Sequence, residues 1–149
     1  MEALFILQSQ KIFKMSKKTS TILLVDDDLA LNFFHKRLFT KLNISEEIVS
    51  TNDGYDAIEN IKLLNNSLCK NDLVLIFLDI NMPVMDGWDF LENFKQFSNE
   101  LKYDYKIFVL SSSINPDDIE KAKNNSLVTD YCSKPLNSDG VNSLLERYL

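Results

Sequence analysis

The chain has 149 residues, 45% of them hydrophobic and 26% charged, which is the composition of an ordinary globular protein with a single core. Its formal net charge of −6 disfavours direct binding to DNA, because duplex binding relies on lysine and arginine to neutralise phosphates. The two cysteines, Cys69 and Cys132, are too few and too far apart for a disulfide framework or a zinc site, and such usage is typical of a reducing cytoplasm.

Residues 1–20 are predicted to be an N-terminal extension, and residues 21–149 one domain. The apolar run of the extension, Ala3–Leu7, is too short for a signal-peptide core or a membrane span, so we expect neither export nor membrane insertion. Residues 1–14 are interpreted either as a mis-assigned start or as a short amphipathic arm.

The first predicted strand, Thr21–Val25, ends directly before three acids, Asp26, Asp27 and Asp28. Asp28 is placed to cap the helix that follows. Apolar residues spaced by three and four positions predict the face of this helix that packs on the sheet: Leu31, Phe34, Leu38 and Leu42. We expect His35, which precedes two basic residues, on the solvated face of the same helix.

The apolar run Leu73–Leu78 predicts a fully buried third strand that ends at Asp79. The other predicted strands are Ile48–Val49, Ile107–Leu110 and Val128–Ser133. Ser111 follows the fourth strand and Lys134 follows the fifth. A helix is predicted after every strand. The third helix begins near Asp86 or Gly87, and the fourth is capped by Asn115. The last helix carries apolar residues from Val141 onward.

Five strands that alternate with five helices predict an α/β fold, a doubly wound parallel sheet with helices on both faces. Since the carboxyl ends of parallel strands meet at one edge, we expect one rim to collect Asp26, Asp27, Asp79, Ser111 and Lys134. Crowded carboxylates repel each other unless a proton or a cation joins them, and a hard ion such as Mg²⁺ suits oxygen ligands. With the lysine ammonium nearby, such a rim could transfer a phosphoryl group to a carboxylate.

Four motifs occur in order over Thr21–Leu149: VDD after the first strand, LDINMPVMDG at the end of the third, a strand that ends in serine, and SKP after the fifth. Together they resemble the receiver domain of two-component response regulators. The resemblance implies a flavodoxin-like sheet with strand order 2-1-3-4-5. It also implies that Asp79 is the phosphoacceptor and that Mg²⁺ is bound by Asp79, by Asp27 directly, by Asp26 largely through water, and by the backbone carbonyl of Asn81.

The same resemblance assigns roles to residues of the last two strands. Ser111 matches the switch serine or threonine that also contacts the phosphoryl group, Tyr131 matches the switch aromatic residue, and Lys134 matches the phosphate-contacting lysine. Lys134–Pro135 would be a cis peptide bond. The segment NNSLVTD before Tyr131 departs from the small-residue pattern that is usual in the family.

The function implied by the resemblance is that of a cytoplasmic signalling protein, not an enzyme beyond its own phosphorylation and dephosphorylation. We expect a single-domain response regulator that receives a phosphoryl group from a sensor histidine kinase or a histidine phosphotransfer protein. It would then bind a protein target through the face of the fourth helix, fifth strand and fifth helix.

Three alternatives stay open. One is a phosphorelay intermediate that passes the group on to a histidine phosphotransfer protein. A second is a phosphorylation-independent interaction module, which the complete set of Asp26, Asp27, Asp79 and Lys134 disfavours. The third is a phosphotransferase for small molecules, which Asn81 disfavours because such enzymes usually carry a second aspartate at that position.

Overall fold

Five parallel strands form one sheet, in the order β2-β1-β3-β4-β5, in the computed structural model, which describes residues 19–149. The strands are β1 (Thr19–Val25), β2 (Ser45–Thr51), β3 (Leu73–Asp79), β4 (Asp104–Ser111) and β5 (Val128–Ser133). The helices are α1 (Leu29–Leu42), α2 (Gly54–Leu64), α3 (Gly87–Phe97), α4 (Pro116–Asn124) and α5 (Ser138–Tyr148), with a 3₁₀ turn at Ser98–Glu100. The predicted doubly wound, flavodoxin-like fold is confirmed. Both interpretations of residues 1–14 fall outside the described residues.

Three strands extend beyond the apolar runs that predicted them. Polar residues at their amino ends pair with the neighbouring strand, as Thr19 of β1 does with Ser45 of β2, and Asp104 of β4 with Leu73 of β3. An apolar pattern does not mark polar residues even where they pair within the sheet, so these three predicted strands were too short. None of the helices between residues 19 and 149 is long and apolar enough to cross a membrane.

The central strand, β3, is buried along its whole length because it has a neighbour on each side and helices above and below. Successive side chains of a strand point to opposite faces, so β3 contributes to two apolar layers. Val74, Ile76 and Leu78 pack with residues of α2 and α3. Leu73, Leu75 and Phe77 pack with residues of α1 and α5.

Aromatic rings connect the layer of α1 and α5 across the sheet. The ring centroid of Phe77 lies 4.9 Å from that of Phe39 in α1 and 5.2 Å from that of Phe108 in β4. The Phe108 centroid in turn lies 5.7 Å from that of Tyr148 in α5. These separations fall within the range at which aromatic pairs attract beyond their buried area, so they fix both helices against the sheet.

Each of the five helices begins at a side chain that accepts a hydrogen bond from a backbone N–H of the first turn. These caps are Asp28, Asp53, Asp86, Asn115 and Asn137. The predicted cap Asp28 accepts from the backbone N–H of Leu31 at 3.0 Å. The predicted starts of the third and fourth helices are likewise confirmed.

The prediction for the buried face of α1 was only partly right: Leu38 and Leu42 pack against the core, but the most buried residues of the helix are others. The helix buries Asn32, His35 and Phe39, whereas Phe34 is 49% exposed. His35, expected in solvent, is only 1% exposed. A hydrophobic pattern counts apolar residues alone, and here two of the three inward side chains are polar. Asn32 bonds to Asp26 just before the helix, and His35 bonds to Leu136, which is 101 residues away.

Trp88, the only tryptophan in the sequence, lies half-buried at the start of α3. It packs against both the core beneath α3 and the smaller cluster beneath α4. The Nζ atom of Lys121 in α4 lies 4.6 Å from the centroid of its ring, close enough for a cation–π contact. Trp88 therefore links α3, to which it belongs, with α4.

Candidate functional site

Three carboxylates lie together at the carboxyl edge of the sheet. One oxygen from each of Asp26, Asp27 and Asp79 lies within 4.8 Å of the other two. The pairing of β1 with β3 sets Val25 opposite Leu78, and the acids come directly after these two residues. Asp26 and Asp79 are each only 4% exposed, whereas Asp27 is exposed, so the cluster opens to solvent on one side.

Backbone N–H groups hold the two buried carboxylates in the same way. The N–H of Asp28 donates to Oδ1 of Asp26 at 2.9 Å, and the N–H of Asn81 donates to Oδ1 of Asp79 at 3.1 Å. Each bond links a strand-end acid to the residue two positions later, a local turn that aspartate commonly makes. One oxygen of each acid is thus fixed by its own loop, and the second oxygen is directed to another partner.

That partner is Lys134. Its Nζ atom lies 2.6 Å from Oδ2 of Asp26 and 3.2 Å from Oδ2 of Asp79. Burial acts to lower the pKa of the Lys134 amine, but the bond to Asp26 and the charges of both acids outweigh it and raise that pKa, so the group stays an ammonium. The pKa of the Asp79 carboxyl is raised, mainly because the group is buried. The hydrogen bond from the Asn81 N–H acts to lower this pKa, the charge of Asp26 acts to raise it, and the charge of Lys134 acts to lower it.

Ser111 is fully buried at the end of β4, the neighbour of β3. Its Oγ atom accepts a hydrogen bond from the N–H of Ser113 at 3.0 Å. The carbonyl oxygen of Ser113 accepts from the hydroxyl of Tyr131 in β5 at 2.8 Å, and its Oγ donates to Asp118 in α4 at 3.0 Å. Ser113 therefore connects the end of β4 to both β5 and α4.

The loop after Asp79 folds back closely at Gly87. The N–H of Gly87 donates to the carbonyl of Ile80 at 3.1 Å. A Cβ atom at position 87 would lie 2.6 Å from the Cα of Ile80 and 2.9 Å from the carbonyl oxygen of Asp79. Only glycine avoids this collision, so Gly87 allows α3 to start directly beside the strand-end acid.

The segment that carries Lys134 is bonded at both ends. The N–H of Lys134 donates to the carbonyl of Ser111 at 3.0 Å, and the N–H of Leu136 donates to Nε2 of His35 at 3.1 Å. The Lys134–Pro135 peptide bond between them is cis. Burial lowers the pKa of His35, while the charge of Asp26 acts in the opposite direction.

Comparison with known proteins decides the family. A sequence model described as the response regulator receiver domain matches residues 22–146. The chain belongs to this family. A two-component response regulator from Cytophaga hutchinsonii has a similar structure, with 32% sequence identity, a TM-score of 0.75, and coverage of 87% of this chain and 96% of that one.

More distant structures are also similar to this receiver domain. A response regulator receiver domain protein from Methanospirillum hungatei is 26% identical, with a TM-score of 0.63, over 89% of this chain and 94% of that one. A chemotaxis protein of Vibrio cholerae shares the fold at 22% identity, with a TM-score of 0.68, over 88% and 99% of the two chains. Family membership assigns the chain to two-component signal transduction.

The acidic cluster of the receiver domain has the donors that a hard divalent cation requires. All its ligand atoms are carboxylate oxygens, the ligands that Mg²⁺ prefers. Three carboxylates face one ammonium, which leaves negative charge for a cation to neutralise. Because Asp27 is exposed, a bound ion could also keep part of its hydration shell on that side.

The structure brings four of the predicted site residues into one cluster: Asp26, Asp27, Asp79 and Lys134. Ser111 lies on the adjacent strand, and Tyr131 reaches its loop through Ser113. Asn81 is exposed, and its N–H donates to Asp79.

Sequence reasoning missed two residues that support this arrangement, Asn32 and His35, and placed Ser113 beside the site without its bonds to Tyr131 and Asp118. For the two α1 residues a signal was present, because Asn32 and His35 are polar residues spaced by three positions within an otherwise apolar part of the helix. For Ser113 there was none, because each of the three consecutive serines at the end of β4 could equally have been a polar loop residue.

Proposed function

We propose that Asp79 accepts a phosphoryl group from a phosphohistidine, carried by a sensor histidine kinase or a histidine phosphotransfer protein, in a reaction that requires Mg²⁺. One observation carries the proposal: Asp79 ends a buried strand within ligand distance of two further acids and 3.2 Å from the Lys134 ammonium. Family membership in two-component signalling agrees with it.

The chemistry follows from these positions. A carboxylate oxygen of Asp79 attacks phosphorus; the new P–O bond forms as the P–N bond of the donor breaks, and the electron pair of that bond stays on the imidazole nitrogen. A divalent cation held by Asp26, Asp27, Asp79 and the carbonyl of Asn81 would neutralise charge on the phosphoryl oxygens. The Lys134 ammonium, already beside Asp79, binds an oxygen of the transferred group.

We further propose that Ser111 and Tyr131 transmit the change. The phosphoryl group adds negative charge and acceptor oxygens next to Ser111, whose hydroxyl can then donate to them. Any movement of Ser111 acts on Ser113, and hence on Tyr131 and on Asp118 of α4. The face of α4, β5 and α5 would thus exchange one packing for another, and a partner protein that prefers one packing reads the signal.

Acetyl phosphate tests the first proposal without knowledge of the kinase. The protein is incubated with acetyl phosphate and Mg²⁺, and its intact mass is measured. We expect an adduct of one phosphoryl group on the wild type, none on Asp79→Asn, and none when EDTA removes the divalent cation. Asp53→Asn is the matched control, because Asp53 caps α2 and is not a member of the acidic cluster, so it should be labelled like the wild type.

Two results would contradict the proposal. One is a wild type that stays unlabelled under conditions that label a control receiver domain. The other is an adduct that persists in Asp79→Asn, which would assign the group to another side chain.

Amide hydrogen exchange tests the switch: phosphorylation should change the exchange of residues 111–118, and it should do so less in Tyr131→Phe, which lacks the hydroxyl that binds Ser113.

A further inference from the structure

Two polar side chains on the inner face of α1 have no part in the proposed chemistry and yet are almost completely buried. Asn32 is 4% exposed and His35 is 1% exposed. They are three positions apart, so they lie on the same face of the helix, one turn from each other. Buried polar groups are usually retained for the hydrogen bonds they make, and the bonds of these two lead to the candidate site.

Asn32 binds one side of the acidic cluster. Its Nδ2 atom donates to the carbonyl oxygen of Asp26 at 2.8 Å, a fully buried hydrogen bond. The Asp26 carboxylate is fixed in addition by the N–H of Asp28 at the start of the same helix. The amino-terminal half of α1 therefore sets the position of the acid that pairs with Lys134.

His35 binds the other side. The N–H of Leu136 donates to its Nε2 atom at 3.1 Å, and this bond too is buried. A nitrogen that accepts must carry a lone pair, so the imidazole is neutral with its proton on Nδ1. Leu136 lies two residues after Lys134, and Pro135 between them has no N–H to donate. Lys134 and Leu136 are thus the two backbone donors of this short segment, bonded to Ser111 and His35 respectively.

We propose that His35 is a positioning residue that holds the segment of Lys134 from α1, so that the lysine ammonium stays against Asp26 and Asp79. The inference rests on the proposed phosphoacceptor function for its kinetic test. One helix thereby binds both sides of the 2.6 Å ion pair, Asp26 through Asn32 and the lysine segment through His35. Without an acceptor at position 35, the buried N–H of Leu136 loses its partner, and the segment moves to find another.

A residue that only fills the core would give different results. Such a role requires shape and apolar contact, so leucine at position 35 would serve, and the acceptor would be irrelevant. A positioning role requires an acceptor at the Nε2 position, which the side-chain carbonyl of glutamine can supply and leucine cannot. His35→Leu and His35→Gln therefore separate the two roles.

The kinetic test measures the rate constant of labelling by acetyl phosphate in the presence of Mg²⁺, for variants shown by circular dichroism to be folded. We expect His35→Leu to lower the maximal rate constant by about 10–100-fold, the usual effect of removing a residue that orients a reactive group, and His35→Gln to recover a large part of it. Phe39→Leu is the matched control, since Phe39 lies on the same buried face and packs against Phe77. It should label at the wild-type rate.

A spectroscopic test does not depend on labelling. The nitrogen chemical shifts of the single histidine should show a protonated Nδ1 and an unprotonated Nε2, and the Leu136 amide should resist hydrogen exchange in the wild type and His35→Gln but not in His35→Leu. A proton on Nε2 overturns the inference, as does a folded His35→Leu that labels at the wild-type rate, or a His35→Gln as slow as His35→Leu. If the wild type itself stays unlabelled, the proposed function fails, and the spectra alone decide the position of the segment.

Discussion

The two helical layers that cover the sheet bury different kinds of side chain. α2 and α3 turn only apolar residues and glycines inward: Gly54, Ala57, Ile61, Gly87, Phe90, Leu91 and Phe94. In the opposite layer, α1 turns Asn32 and His35 inward beside Phe39. Both layers bury apolar area, but the inner face of α1 also bonds to Asp26 of the acidic cluster and to Leu136, two residues after Lys134.

The difference indicates a division of labour within one small fold. Apolar burial in the α2 and α3 layer contributes mainly to the free energy of unfolding. We expect the buried polar pair of α1, Asn32 and His35, to contribute mainly to the positions of the charged groups of Asp26 and Lys134. Substitutions on the two sides should therefore change different measured quantities.

The largest expected effect is on stability, from the apolar layer. Phe94 is fully buried and its ring contacts Phe90, Phe97 and Tyr105. Phe94→Ala should lower the free energy of unfolding in urea by about 3–5 kcal/mol. The labelling rate constant of the folded fraction should stay at the wild-type value, because Phe94 does not contact the cluster. Tenfold slower labelling of folded Phe94→Ala would contradict the proposed difference between the two helical layers.

A pair of glycines at equivalent helix starts gives a smaller effect. In Gly87→Ala the new Cβ meets the backbone of Ile80 and Asp79, so we expect a loss of about 1–3 kcal/mol and slower labelling. In Gly54→Ala the Cβ meets the side chain of Met85, which is flexible and can move away. Gly54→Ala should thus cost less and label normally. Equal losses in urea unfolding for both variants would count against this account.

The helix caps allow a closer comparison between layers. Asp28→Ala and Asp53→Ala each remove a cap, from α1 and α2 respectively, and each should cost about 1 kcal/mol in urea unfolding. Labelling should be unchanged in Asp28→Ala, because the N–H that binds Asp26 belongs to the backbone and is retained. Asp28→Asn, which preserves the cap, is the control. Slow labelling of Asp28→Asn would instead make Asp28 a functional member of the acidic group.

The smallest expected effect comes from protonation of His35, because near neutral pH the imidazole is already mostly neutral in both states. Burial lowers the pKa of the His35 imidazole below 6.5 in the folded protein. The charges of Asp26 and Asp28 act to raise this pKa, and the charge of Lys134 acts to lower it. The unfolded chain then binds the proton more readily, so the stability from His35 is full above about pH 6.5 and is lost as the pH falls below it. His35→Gln cannot titrate, so its urea midpoint should fall less steeply on acidification; parallel curves for both proteins would exclude the effect.

The sequence predicts most of the fold because burial and chain direction leave few choices. An apolar run that ends in Asp79 specifies a central strand, and alternation with helices makes the sheet parallel. Parallel strands bring Asp26, Asp27, Asp79 and Lys134 to one edge whatever the detailed packing.

The inner face of α1 could not be predicted in this way. His35 is paired with a donor 101 residues away, and a bond of that separation leaves no local periodicity. Phe34, which is half exposed, was assigned to the packing face because a hydrophobic pattern cannot weigh a buried hydrogen bond against apolar area. The need for glycine at position 87 was not predictable from local pattern either, because it comes from the close approach of the backbone at Asp79 and Ile80.

The position of Trp88 between α3 and α4 has a practical consequence for observing this receiver domain. With one tryptophan in the sequence, all indole emission comes from a ring that the ammonium of Lys121 approaches from the next helix. A shift of α4 would change both the field of that cation and the access of water to the ring. Intrinsic fluorescence should thus act as a built-in gauge of the α3–α4 gap, and a rapid-mixing experiment could follow the motion in real time without any attached dye.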